Sequence, residues 1–278
     1  MTTKNPYDRI GKCIYCGKTG QGVKLKDEHI VPFSLHGKFY LPGASCGDCE
    51  KITHAFEGRV ASTMYKSFRP IEKIATRRPK DRPKELQMTE IFSSSEKTIE
   101  MPLDGMIGTF PLIHFPPPGF LRGDLSDQIS WEGTKLSVLT REPKDKSLWM
   151  RSTAPKLSVE QKFDLTAYAL LLAKIAHCIA VGHLGIDNFD HWLPPYILGK
   201  QSNFASLIGG QEKVEPPSNN DHDIKYDLYP YGGNNSHYIA VTIRLFAIVG
   251  GPHAVVIAGV TDGDRFKRIV DRHTNNSE

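Results

Sequence analysis

The strongest pattern in the chain lies between residues 158 and 185. A nearly unbroken apolar run, LTAYALLLAKIAHCIAVG over residues 165–182, follows Ser158 and Gln161. Ser with Gln three places on is a capping-box pair, which predicts a helix starting at Ser158 and ending near Gly182 or Gly185. Upstream, residues 22–32 (GVKLKDEHIVP) read as a short strand stopped by Pro32. Residues 36–45 (HGKFYLPGAS) read as a second strand or loop turning at Pro42-Gly43. Between Gly47 and Val60, apolar Ile52, Ala55, Phe56 and Val60 recur at helical spacing. Residues 61–90 form a partly helical connector. Three β-like pieces, TIEMPL, MIGTFPLIHF and KLSVLT, follow between 91 and 150. After the long helix the pattern predicts a second helical piece over 189–208 and a polar, turn-rich loop over 211–235. Two strands, 237–249 and 253–260, are joined by Gly250-Gly251-Pro252, and a frayed end begins at Asp262.

This order predicts an α+β fold in three parts. Residues 1–60 make a strand–strand–helix module, 61–90 a connector, and 91–278 a larger α+β domain with a long buried helix and a late β-hairpin. The apolar run at 165–182 reaches the length of a membrane span. Lys174 at its centre, however, costs about 2.5–3.5 kcal/mol on insertion scales, so the expectation is a buried helix of a soluble domain. The start, MTTKNPYDRI, has no apolar run after its charges, and a secretory signal is not expected.

Charge changes the picture locally. The formal net charge is only +4, but the stretch from Lys66 to Lys84 holds eight basic residues (Lys66, Arg69, Lys73, Arg77, Arg78, Lys80, Arg82, Lys84) against Glu72 and Asp81. Such an excess suits phosphate contacts. It equally suits a solvated linker broken by Pro70, Pro79 and Pro83.

Four of the five cysteines stand as two pairs, Cys13-x-x-Cys16 and Cys46-x-x-Cys49. A two-residue spacer lets both thiolates point at one centre, and four thiolates close the tetrahedral shell of Zn²⁺, giving a structural site. Cys13-Ile-Tyr-Cys16-Gly17 has the form of a zinc knuckle. An odd cysteine count without a secretory signal argues for a reducing, cytoplasmic setting. Cys178 is expected to be an inert core residue. A thiol redox role for the pairs is poorly supported, because two pairs flanking one insert look like a cage.

The span closed by the cysteines contains Glu28-His29. Phosphodiester hydrolysis needs a base for water, charge neutralisation on the phosphoryl oxygens, and cations that hold the backbone. His29 can be the base. Glu28 is its strand neighbour, so the two side chains point to opposite faces unless the chain bends. Glu50 and His54 are four apart on the following helix and can share a divalent ion with Glu28; Glu57 is a spare carboxylate.

Taken in order, Cys13-Ile-Tyr-Cys16, Glu28-His29-Ile30-Val31-Pro32 and Ala44-Ser45-Cys46-x-x-Cys49 resemble the HNH endonucleases of the ββα-metal type in their zinc-ribbon form, over residues 10–60. The resemblance implies a DNA endonuclease with structural Zn²⁺. His29 would activate water, and Glu28 would bind a catalytic Mg²⁺, Mn²⁺ or Ni²⁺, with Glu50 or His54 as the helix ligand. Two places depart from the family pattern. Tyr40-Leu41-Pro42 stands where an Asn-Leu string is usual, and Glu50 stands where Asn or His follows the last cysteine. A catalytically degenerate zinc-ribbon module that binds nucleic acid or protein is the alternative.

Other residues have plainer expectations. His36 is a solvent-facing loop residue, and His177, His183 and His191 are core or surface residues with spacings poor for one helical face. Lys24 and Lys26 receive no role. Residues 91–278 carry no motif tied to chemistry. They are expected to recognise or restrain the nucleic-acid target, or to mediate assembly with a protein partner or a second copy, and no membrane association is expected.

Overall fold

The computed structural model describes residues 4–20, 22–76, 79–124, 131–211, 215–233 and 235–275. Arg77 and Arg78 of the basic stretch lie outside the described residues.

The N-terminal module follows its sequence pattern. Strand β1 (Leu25–His29) pairs antiparallel with β2 (Tyr40–Cys46), and α1 (Gly47–Arg59) leaves directly from the end of β2. The pairing slips from Lys26↔Ser45 to Glu28↔Leu41, so β2 carries a bulge at Pro42–Ala44. Gly43 sits at φ +59, a left-handed conformation that glycine adopts without steric cost, and its N–H donates to Asp27 Oδ1 at 3.0 Å. Helix α1 then widens into a π-turn over Val60–Met64 before the short helix α2 (Phe68–Ile71).

The connector ends in strand. β3 (Glu85–Ile91) lies between β4 (Glu96–Pro102) and β7 (Lys156–Ser158). β5 (Gly108–His114) forms a separate pair with β6 (Lys135–Arg141), and the short helix α3 (Gly119–Arg122) falls between them in the chain. The long helix α4 (Leu165–Leu184) is followed by β8 (Asp190–His191), the one-turn α5 (Pro194–Ile197) and β9 (Ile208–Gly210). The chain closes with β10 (His222–Pro230), β11 (His237–Leu245), β12 (Ala254–Thr261) and α6 (Gly263–Asn275). The largest sheet runs β10-β11-β12-β8, with β9 also on β12. The fold is α+β, with antiparallel pairing throughout the described sheets.

Helix α4 is the axis of the molecule. It packs on α1 from one side and on β11 and β12 from the other. One apolar cluster therefore runs from Cys13 through Val60 and Ile175 to Ile257 and Ile269, joining residues 1–60 to 91–278. Tyr65, Phe68, Phe110 and Phe246 interlock beside it, with ring centroids 4.8–6.2 Å apart. Among the described helices α4 alone is long and apolar enough to cross a membrane, and 78% of that stretch is buried inside the protein.

Four sequence expectations are corrected. Ser158 does not cap α4: it pairs with Thr89 in the three-stranded sheet, and Gln161 Nε2 donates to Met64 O at 2.9 Å. Asp164 is the cap, its Oδ1 accepting from Ala167 N–H at 2.9 Å. Aspartate caps as well as serine, and the strand pairing of 156–158 decides between them. Replacing Asp164 by Ala is expected to remove about 0.5–2 kcal/mol from stability, whereas Ser158→Ala should change a urea midpoint little. Equal losses from both would contradict this start of α4.

Residues 189–208 are not one helix. Pro194-Pro195 start a single turn that Gly199, at φ +71, ends, and the flanking residues join β12 as β8 and β9. The polar stretch 211–235 contains β10, where Ile224, Tyr226 and Leu228 alternate with Asp223, Lys225 and Asp227 in period two. Its many charges hide that alternation. Over Gly263–Asn275 the chain is helical, held by Arg265 to Asp190 at 2.6 Å, by Phe266 stacked 4.0 Å from His237, and by buried Ile269.

Candidate functional site

The four paired cysteines come together. Cys13 and Cys16 flank a tight turn closed by Gly17 N–H donating to Cys13 O at 2.9 Å, with Gly17 at φ +74. Cys46 ends β2, and Cys49 lies in the first turn of α1. Their four Sγ atoms lie within 4.8 Å of one another, and Cys16 Sγ is 3.7 Å from Cys46 Sγ. A tetrahedron with metal–sulfur bonds of about 2.3 Å has edges of about 3.8 Å, so the donor set and its spacing fit Zn²⁺. Burial pushes the Cys49 and Cys13 thiols up. At Cys46 burial acts the same way, but the Cys49 backbone N–H and the neighbouring thiols outweigh it and bring the thiol down to about 7. The cluster stitches three pieces of chain. The 10–18 segment also donates Ile10 N–H to Pro42 O (2.9 Å) and Ile14 N–H to Ala44 O (2.8 Å) across the bulge of β2.

Beside this cluster opens a cleft of about 860 Å³. Glu28 and His29 from β1 and Glu50, His54 and Glu57 from α1 all border it. Glu28 and His29 pair in register with Leu41 and Tyr40, just beyond the bulge opposite Asp27, and both residues border the cleft. His29 is half-buried, its ring 5.9 Å from that of Tyr40 and 6.3 Å from that of Phe33. Tyr40, one of the departures from the family pattern, thus packs on the histidine.

The carboxylates are already engaged. Lys174, at the middle of α4 and fully buried, stands 3.0 Å from Glu28 Oε1 and 2.9 Å from Glu57 Oε1. It also donates to His29 O and, at 3.2 Å, to Ile30 O. Burial alone would lower the Lys174 ammonium, yet Glu57 and Glu28 hold it above its ordinary range. Burial raises Glu57, and Lys174 offsets this only in part. Two buried carboxylates thus share one ammonium at the cleft wall. Glu50 is paired with Lys26, the strand lysine given no role from sequence, and His54 is exposed. Among the described residues the four cysteines are the one His/Cys/Asp/Glu group that converges as metal ligands do. Glu28, Glu50 and His54 share a cleft without closing into a cage for a catalytic ion.

From the basic stretch, Lys66, Arg69 and Arg82 border the same cleft, while exposed Lys73, Lys80 and Lys84 do not. The remaining histidines have structural partners. His177 is buried, its Nε2–H donating to Ile14 O at 2.8 Å, and burial lowers it to about 3. His191 Nε2 is 2.6 Å from Ile186 O, and His183 Nε2 is 3.0 Å from the Tyr7 hydroxyl. His36, at φ +72, faces Asp221 at 3.3 Å beside a separate, smaller cavity. Cys178 is fully buried against Tyr15. Lys24 is exposed.

Sequence reading missed Lys174 as a site residue. Its signal was present: an ammonium inside an apolar helix needs a buried acid partner. Glu57 was the carboxylate left over on the facing helix. No family model, curated protein or solved structure matches the chain.

Proposed function

We propose that this protein is an endonuclease hydrolysing phosphodiester bonds in DNA, with His29 as its general base. The observation that supports this reading most is the cleft itself. Residues singled out from two separate sequence segments, Glu28-His29 and Glu50/His54, border one cavity together with three cations of the basic stretch. In the reaction, His29 removes a proton from water as the oxygen attacks phosphorus. The phosphorus–oxygen bond to the leaving strand breaks, and solvent returns a proton to the departing oxygen. Lys66, Arg69 and Arg82, which border the same cleft, would neutralise negative charge on the phosphoryl oxygens. Glu28 acts through Lys174, which holds the backbone carbonyl of His29. The requirement for Mg²⁺, Mn²⁺ or Ni²⁺ rests on the resemblance to HNH enzymes, and Glu28 and Glu50 would first have to exchange their lysine partners for the ion.

His29→Ala is expected to lower plasmid nicking by about 10²- to 10⁴-fold, the usual contribution of a general base. Zinc content and melting temperature should stay as in the parent. Parallel assays with each of the three metals establish the ion requirement. Equal cutting by the parent and His29→Ala proteins would end the mechanism.

The engagement of both Glu28 and Glu57 by Lys174 favours a second reading, a non-catalytic zinc-ribbon module that docks on nucleic acid or protein. It predicts salt-sensitive binding without turnover under any divalent metal.

A further inference from the structure

Two arginines in the cleft wall are held by backbone carbonyls rather than by acids. Arg69 is half-buried between the π-turn Val60–Met64 and the segment 30–39. Its Nε donates to Ser34 O at 2.8 Å and one of its terminal amines to Ala61 O at 3.3 Å. Arg82 is also half-buried, its terminal amine donating to Ile74 O at 2.6 Å. Among the described residues neither guanidinium has a carboxylate within 4.0 Å. Exposed Arg9 and Arg268 likewise have none, but Arg141 pairs with Glu72, Arg244 with Glu215 and Asp223, and Arg265 with Asp190 and Asp262. Burial, and then the charge of Arg82, lowers Arg69 from its ordinary value, so the two cations feel each other.

Backbone carbonyls orient a guanidinium but cannot neutralise it. Two like charges bordering one cleft, each held by backbone carbonyls and with no carboxylate within 4.0 Å among the described residues, are costly unless an anion joins them. A planar guanidinium fork matches the two oxygens of a phosphate. The cleft lining also carries seven carboxylates, of which Glu28 and Glu57 face Lys174 and Glu50 faces Lys26. Arg69 and Arg82 are therefore where a strand phosphate entering this cleft can meet positive charge that has no carboxylate within 4.0 Å among the described residues.

We propose that Arg69 and Arg82 form a clamp for a backbone phosphate of the DNA strand that enters the cleft. The clamp rests on the nuclease reading for its substrate but not for its own test. One end of the strand is anchored by the arginine pair, and the scissile bond lies toward His29, which borders the same cavity. The basic stretch is then divided by role: Arg69 and Arg82 read phosphate, and exposed Lys73, Lys80 and Lys84 supply a diffuse field.

The experiment uses the full-length His29→Ala protein, which cannot deplete the probe, and a short fluorescent DNA duplex titrated at several salt concentrations. Arg82→Gln and Arg69→Gln should each bind about 10- to 100-fold more weakly, the range expected for losing a charge-assisted hydrogen bond. Each should also reduce the slope of log affinity against log salt by about 0.9. Arg69→Lys keeps the charge but loses the fork and should retain most of the slope while losing affinity. Lys80→Gln should affect both less than either arginine change. Melting temperature and zinc content are measured for every variant, and Arg82, with one backbone contact, is the change least able to disturb folding.

Wild-type affinity and slope in a folded Arg82→Gln protein would overturn the clamp. So would inorganic phosphate binding through these arginines in a protein that does not bind the duplex. If the arginine-dependent binding holds while the parent protein cuts nothing under any metal, the clamp stands and the nuclease reading falls.

Discussion

Replacing Lys174 by methionine is expected to be among the most damaging single changes in this chain, costing about 3–5 kcal/mol, the range for removing one partner from a buried ion pair. Methionine fills most of the volume, so the loss is electrostatic rather than a cavity. Glu28 and Glu57 would face each other without the ammonium that stands 3.0 and 2.9 Å from them, and the carbonyls of His29 and Ile30 would lose their donor. The sign of the pH effect follows. Glu57 is raised in the folded protein by burial, and removing Lys174 removes the main influence holding it down. A raised carboxyl favours the folded state below its unfolded value of about 4.3, and that contribution is lost as pH rises through the folded value. The variant should therefore be least stable, relative to the parent, at neutral pH, and should recover part of the difference in mild acid. Adding Glu57→Gln should restore part of the loss at pH 7. Urea denaturation at two pH values measures all of this. A loss below about 1 kcal/mol at neutral pH, within the range of exposed pairs, would mean the triad is not buried as described.

Removing metal from the cysteine cluster is the second change expected to act strongly. Structural zinc in small modules is worth about 10–16 kcal/mol of apparent binding energy, more than the total stability of many domains. The cluster holds the 10–18 turn, the end of β2 and the start of α1 against one another. Without it the Lys174 triad and the apolar cluster are left to keep Glu28 and His29 beside α1. Because Cys13, Val60 and Ile175 belong to one apolar cluster, the loss should spread to α4 rather than stay local. The expected result is stoichiometric zinc in the purified protein, a large fall in melting temperature under a strong chelator, and recovery when zinc is returned. Cys46→Ser should reproduce the fall. Protein that carries no metal, or that melts unchanged after stripping, would refute the assignment.

Much of this was legible because the signals were local. The Cys13/Cys16 and Cys46/Cys49 spacings specify a tetrahedral cage before any fold is known. The run from Ile52 to Val60 has a helical period, and the apolar stretch at 165–182 announces a buried helix. Failures came where local signals competed. Ser158 and Asp164 are comparable caps, and only the pairing of Ser158 with Thr89 removes Ser158 from the helix. His222–Pro230 is too polar to look like a strand until β11 supplies a partner along its length.

The sequence by itself determined which four cysteines cluster with the spacing of a metal site, the order of β1, β2 and α1, the α+β class, and the residues that make a hydrolytic reading worth testing. These rest on spacing and periodicity, which are properties of neighbours in the chain. Only the tertiary structure decided the company that His29 keeps. Lys174 is 145 residues from His29 in the chain, and Ser34 and Arg69 are 35 apart. No spacing rule reaches across such separations. Burial strengthens each of these contacts by removing water from between the charges, and burial is a property of the packed whole.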